Sequence, residues 1–93
     1  MIMGIVIGDE LDVAYGITMS NCYACVDTMT ITKGEESGKY VISARCPCFI
    51  SEEQRLNQFR RYDFSINTDT LDNIWEQVYT ELKKNFENYT DCI

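Results

Sequence analysis

Only one segment of this chain repeats its apolar residues with a helical period, and it lies at the C-terminal end. Leu71, Ile74, Trp75, Val78, Tyr79, Leu82 and Phe86 recur at spacings of three and four, which puts them on one stripe of an amphipathic α-helix. Asp69 or Thr70 is placed to cap its N-terminus. Asp72 falls in the first turn and Lys83 and Lys84 in the last, each charge complementing the helix dipole. A stripe of that size must be buried against another apolar surface, and everything upstream of it reads as strand. The expected fold is therefore α+β: an antiparallel β-meander of four to five strands with one C-terminal amphipathic helix packed on one face.

The strands are read from alternation. Leu11, Val13, Tyr15, Ile17 and Met19 are large and apolar, while Asp12, Ala14, Gly16 and Thr18 between them are polar or small, so Leu11–Met19 reads as one half-buried strand. Ile2–Ile7 reads as the strand before it, joined through the turn-forming Gly8-Asp9-Glu10, and Ser20-Asn21 is placed to close a second hairpin. The clearest hairpin runs from Cys22–Thr32 through Lys33–Gly38 into Lys39–Ile50. With its loop centred on Glu35 and Glu36, Ile31 faces Tyr40, Met29 faces Ile42, Asp27 faces Ala44 and Cys25 faces Cys46. One side then carries Met29, Ile31, Tyr40, Ile42, Ala44, Cys25, Cys46 and Cys48 as the core face, and the other carries Val26, Thr28, Thr30, Thr32, Val41, Ser43 and Arg45. Ser51–Gln58 reads as a loop or a single helical turn, and Tyr62, Phe64 and Ile66 alternate as a fifth strand.

Ninety-three residues close around one core, so a single domain spanning 1–93 is expected. The composition, 45% hydrophobic and 25% charged with one Pro, is that of a folded globule. Eight basic against fifteen acidic side chains leave a formal charge of −7, which repels phosphate backbones and anionic lipid; neither nucleic acid nor membrane is expected as a partner. Histidine is absent, and with it imidazole as general base, proton shuttle or metal ligand. An enzyme is not expected. Met1–Gly8 is too short to cross a bilayer and lacks a basic start, so the reading is a product of the cytoplasm with no removed leader.

Five cysteines give the nearest approach to a motif: Cys22 and Cys25 form C-x2-C, and Cys46 and Cys48 form C-x-C. Four thiolates suit a tetrahedral structural zinc. Against this, residues three apart on a strand point to opposite faces, so Cys22 turns away from the other three unless a bulge or knuckle intervenes at Tyr23-Ala24. Buried reduced thiols, with no cofactor, are the main expectation; a Cys25–Cys46 cross-strand disulfide and a zinc on Cys22, Cys25, Cys46 and Cys48 are the alternatives. The acidic pairs Asp9-Glu10, Glu35-Glu36 and Glu52-Glu53 fall in turns, where they keep a surface solvated or meet a basic groove on a partner. Arg55, Arg60 and Arg61, interleaved with Phe59 and Tyr62, form the one basic cluster, suited to a partner's carboxylates or to local ion pairs.

From Phe49 to Ile93 the order is strand, the acidic and Arg-containing Ser51-Glu52-Glu53-Gln54-Arg55, a strand ending in Phe64, then Asn73-Ile74-Trp75-Glu76-Gln77-Val78-Tyr79-Thr80-Glu81-Leu82-Lys83-Lys84, Phe86 and a terminal Asp91-Cys92. This half of the chain resembles small uncharacterised proteins of tailed bacteriophages and prophages, in which a β-meander precedes a helix with a Tyr-x-x-Leu-Lys core. Lys84-Asn85 stands where a Leu-Pro step often follows that lysine. The resemblance implies a virion, tail-region or assembly-associated role, in the host cytoplasm during expression or in the virion, with no catalytic residues to carry over. The expected partner is a protein, either a copy of the chain as a homo-oligomer or another virion or host protein. The candidate contact residues are Val26, Thr28, Thr30 and Val41 on the free face, with Arg55, Arg60 and Arg61. A small acidic intracellular inhibitor of a host protein and an adaptor stabilised by zinc on the four cysteines are the alternative readings.

Overall fold

The computed structural model describes residues 3–93, the side chains at 54, 56 and 57 excepted. In chain order the elements are β1 (Gly4–Ile7), β2 (Leu11–Ala14), β3 (Ile17–Met19), β4 (Cys22–Ala24), β5 (Thr28–Lys33), β6 (Tyr40–Ser51), β7 (Gln54–Thr68), α1 (Ile74–Lys83) and β8 (Tyr89–Cys92). The antiparallel sheet with one helix matches the expected class, with eight strands among the described residues in place of four to five.

β6 is the spine. One of its edges pairs throughout with β7, from Tyr40↔Thr68 to Ser51↔Gln54. Its other edge is shared: the first half pairs with β5 and the second with β4, beyond which come β1 and β8. The hand-over needs a bulge. Ala24 lies opposite Cys48 and Thr28 opposite Arg45, so the β4–β5 side spends one residue more than β6 over the same stretch. Asp27 N–H still reaches the Arg45 carbonyl at 2.9 Å and Cys25 N–H the Pro47 carbonyl at 3.4 Å. Val26 N–H, left out of the ladder, donates instead to the Tyr79 hydroxyl of α1 at 3.0 Å. Pro47, which has no N–H to give, stands opposite this break in the ladder.

The core occupies one face of the sheet. Ile5, Ile7, Cys22, Ala24, Ile42, Ala44, Cys46 and Cys48 are buried there under Val78, Tyr79 and Leu82 of the helix, with Leu11 and Phe86 closing the margin. Met29, Tyr62, Phe64 and Ile66 pack against that cluster, and Tyr62 meets Phe86 edge to face at 5.4 Å. A second, smaller cluster lies on the opposite face at the β4 end. There Tyr23 is 1% exposed, its hydroxyl donates to the Met3 carbonyl at 3.2 Å, and the Arg55 guanidinium covers its ring at 4.6 Å. Gly4 lies directly beneath: a Cβ built on it would fall inside the Tyr23 phenol.

Several expectations need correction. Leu11–Met19 is a hairpin, not one strand, because Gly16 takes φ 70 and turns the chain at Tyr15-Gly16. β1 pairs with β4 and β8 and not with the segment after Gly8-Asp9-Glu10. The expected start of that strand at Ile2 lies outside the described residues. Asp9 instead clamps the chain end to β1, accepting from Glu87 N–H at 2.8 Å, Asn88 N–H at 3.1 Å and Asn88 Nδ2 at 3.0 Å. Ser51–Gln58 is no loop: β6 and β7 run into it and turn at Glu52-Glu53.

The hairpin register is shifted by two residues, with Ile31 opposite Ile42 and Met29 opposite Ala44, which keeps each strand's faces while moving every partner. The helix is also shorter than its apolar stripe. Residues 68–72 are wound in side-chain turns, with Thr68 Oγ1 and Thr70 Oγ1 accepting from Thr70 N–H and Asp72 N–H. The N-cap is Asn73 at φ 54, not Asp69 or Thr70, and its side chain makes no capping bond. Glu76, not Asp72, is the acid of the first turn, and Lys83 is the base of the last.

Candidate protein-binding surface

The helix and the β2–β3 hairpin cover one face of the sheet, and the Tyr23 cluster fills the β4 end of the other. What remains is the outer face of β5, β6 and β7. The registers stack it in three ranks across the strands: Thr32, Val41 and Asn67; Thr30, Ser43 and Ser65; Thr28, Arg45 and Asp63. All are exposed except Val41, which is half-buried. Ser43 and Ser65 hydroxyls meet at 3.2 Å, and Arg61, next along β7 on this face, pairs with Asp63 at 3.0 Å. The surface is rich in hydroxyls, and β-branching at Thr28, Thr30, Thr32 and Val41, with the Ser43–Ser65 and Arg61–Asp63 contacts, reduces the rotamer entropy that opposes covering it.

Of the candidate contact residues, this face brings together Thr28, Thr30, Val41 and Arg61. Arg55 is held elsewhere, over Tyr23 and beside Glu52, to which it is linked at 3.5 Å. Arg60 turns to the core side opposite Cys48 and donates to the Tyr62 hydroxyl at 3.3 Å. Val26, carried across by the bulge, packs against the core cluster. The residues of β7 on this face, Asp63, Ser65 and Asn67, follow from the alternation of Tyr62, Phe64 and Ile66; their place beside β5 and β6 depends on a full-length β6–β7 pairing that alternation does not report.

The cysteines are free thiols. Cys22, Cys46 and Cys48 lie in one buried cluster, so Cys22 faces with Cys46 and Cys48 and it is Cys25 that stands apart from them, beyond the expected register. Burial pushes Cys46 and Cys48 up to about 12 and raises Cys22, Cys25 and Cys92 above the ordinary thiol value, which keeps all five protonated near neutral pH. Among the described residues no group of three or more Cys, Asp or Glu converges in a geometry suited to a metal ion.

The acidic pairs are dispersed. Glu35-Glu36 and Glu52-Glu53 flank opposite ends of β6, whose twelve residues span about 40 Å at the rise of a strand. Asp9 is occupied by the backbone of Glu87 and Asn88, whose hydrogen bonds hold its carboxyl below the usual aspartate value. Among the described residues no helix is long and apolar enough to cross a membrane. Comparison with family models, with curated proteins and with solved structures finds no match.

Proposed function

We propose that this chain is a non-enzymatic assembly module of a phage-like particle, acting in the virion, its tail region or its assembly by binding copies of itself or another virion protein. The observation that carries the reading is the uncovered outer face of the β5–β6–β7 half of the sheet. That half presents an ordered face and an open strand edge, and in an elongated domain of 47 × 25 × 24 Å it projects away from the Tyr23 end. The particle setting is supported by the resemblance of Phe49–Ile93 to small phage proteins. Native mass spectrometry of the purified chain tests the reading: a concentration-dependent oligomer above the 10.8 kDa monomer is expected. A monomer at every concentration would remove its self-association arm.

A second reading is favoured by the charge of −7 and by the exposed Glu35-Glu36 pair at the β5–β6 turn: a small inhibitor that meets a basic groove of a host protein. That reading predicts an association with a basic partner that weakens steeply with added salt, and indifference to ionic strength would count against it. The same mass spectrum addresses the zinc adaptor, which requires a mass increment of one zinc ion.

A further inference from the structure

We infer that the open edge of β7 and the flank of α1 form a groove for an extended basic segment of another protein, which adds to β7 as a strand and sets lysine or arginine side chains beside Asp72 and Glu76. The inference rests on the protein-binding role proposed above and names the chemistry of the partner.

The groove follows from how far the helix reaches. α1 closes over β6, whose core-side Ile42, Ala44 and Cys46 are buried, but covers β7 only in part, so that Tyr62, Phe64 and Ile66 stay half-buried. Two depressions lie between strand and helix. One, of about 570 Å³, is lined by Ile66, Glu76, Gln77 and Thr80, and the other, of about 300 Å³, by Tyr62, Phe64, Glu81 and Lys84. The order runs opposite ways along the two elements, so α1 lies antiparallel to this part of β7. Ile66 to Tyr62 spans about 13 Å at the rise of a strand and Glu76 to Lys84 about 12 Å at that of a helix, which makes the two depressions one continuous groove.

The strand beside the groove can accept a further strand. Among the described residues β7 pairs with β6 alone. The carbonyls of Lys39, Arg45 and Pro47 accept from Gly34, Asp27 and Cys25 on the β4–β5 side. Odd-numbered residues of β6 thus face that side and even-numbered ones face β7, where the register sets them opposite Tyr62, Phe64, Ile66 and Thr68. The amides and carbonyls of Asp63, Ser65 and Asn67 are left turned outward. A strand bonded to them alternates its side chains: those level with Asp63, Ser65 and Asn67 lie over the outer face, and those level with Phe64 and Ile66 enter the groove. The outer-face charges do not oppose this, since Arg61 and Asp63 pair with each other at 3.0 Å and Ser65 and Asn67 carry none.

Charge selects the occupant. An apolar floor with an acidic rim suits a side chain with an aliphatic stem and a cationic head. Asp72 and Glu76 are exposed and have no ion-pair partner among the described residues, whereas Glu81 is neutralised by Lys84 at 2.9 Å. The uncompensated negative charge therefore sits at the Ile66 end of the groove. The net charge of −7 adds a longer-range attraction for a basic partner. The segment that fits alternates lysine or arginine with small residues, the former in the groove and the latter over Ser65 and Asn67.

A blocked decapeptide of alternating lysine and threonine, titrated into the full chain and followed by NMR amide exchange, tests the inference. It should bind, slow exchange at Asp63, Ser65 and Asn67, and bind less tightly as salt is added. Asp72→Asn with Glu76→Gln should weaken it by about tenfold or more, while Glu10→Gln with Glu53→Gln, an equal change of charge at exposed sites elsewhere, should leave it nearly unchanged. Circular dichroism confirms that both variants are folded. A decapeptide of five lysines followed by five threonines keeps the charge without the alternation, and should not protect these amides. Equal binding of the two peptides without protection in β7, equal losses in the two variants, or no binding at millimolar peptide overturns the inference. Protection of the same amides on raising the concentration of the chain alone assigns the groove to a second copy and overturns the basic partner. Failure to bind peptide in a chain that oligomerises removes this inference alone; in a chain that stays monomeric, the assembly reading loses its self-association arm as well.

Discussion

Three residues, Gly4, Tyr79 and Asp9, are each held in place by a specific neighbour, for a different reason in each case. Gly4 is required because Tyr23 fills the space above it, and Tyr23 is fully enclosed and cannot move away. Gly4→Ala should cost about 1–3 kcal/mol in denaturant unfolding, the range of an overpacked core site. Tyr79 matters through its hydroxyl as well as its ring, since the Val26 N–H freed by the bulge has no ladder partner. Tyr79→Phe keeps the packing and strands that amide, and should cost about 1–3 kcal/mol by the same measurement.

Asp9 ties β1 to the entry of β8. Its folded carboxyl titrates below its unfolded value of about 4, so its contribution is complete above that pH and is lost as pH falls through the folded value. Asp9→Ala should therefore lower stability at neutral pH and flatten its decline below about pH 4, and a flat wild-type profile there would contradict this. The thiols act at the other extreme. Cys46 and Cys48 stay neutral up to about 12 when folded but ionise near 9 when unfolded. Unfolding then releases protons, and stability should fall as pH rises from about 9 toward 12.

At the scale of elements, the helix closes the core over the sheet through Val78, Tyr79 and Leu82. Leu82 and Val78 are fully enclosed against the sheet, and Leu82→Ala should cost about 2–5 kcal/mol, read as a lowered denaturation midpoint at unchanged slope. This element was legible because the 3.6-residue period is unlike anything else in the chain. Its ends were not, because Thr68 and Thr70 divert the preceding backbone into hydroxyl-capped turns and Asn73 adopts a left-handed conformation.

The strands were legible in face and poorly legible in partner. A two-residue slip between β5 and β6 leaves every side chain on its own face, so alternation is blind to it. The hairpin of β2 and β3 escaped for a related reason: the turn at Tyr15-Gly16 preserves the odd-numbered apolar pattern, and only Gly16 marks it. β8, with Tyr89, Thr90 and Asp91 exposed, has no burial pattern to read. The bulge that carries Val26 to the core side depends on where β4 ends and β5 begins, which is a tertiary choice.

For the molecule as a whole, the helix and the β2–β3 hairpin cover one face of the sheet and the Tyr23 cluster covers the β4 end of the other, leaving the ranks of Thr, Ser and Asn on the outer face of β5, β6 and β7 uncovered. Sequence reading found the threonines of that face but not its extent, because β7 contributes a third of it. The central claim is that copies of the chain meet through this half. Amide hydrogen exchange followed by NMR at low and high protein concentration tests it most directly, since each amide reports its own protection. The account predicts that raising the concentration slows exchange along β5, the open edge of this half, while α1 and β8 are unchanged. Exchange along β5 that is independent of concentration, or added protection confined to α1 or β8, would contradict it.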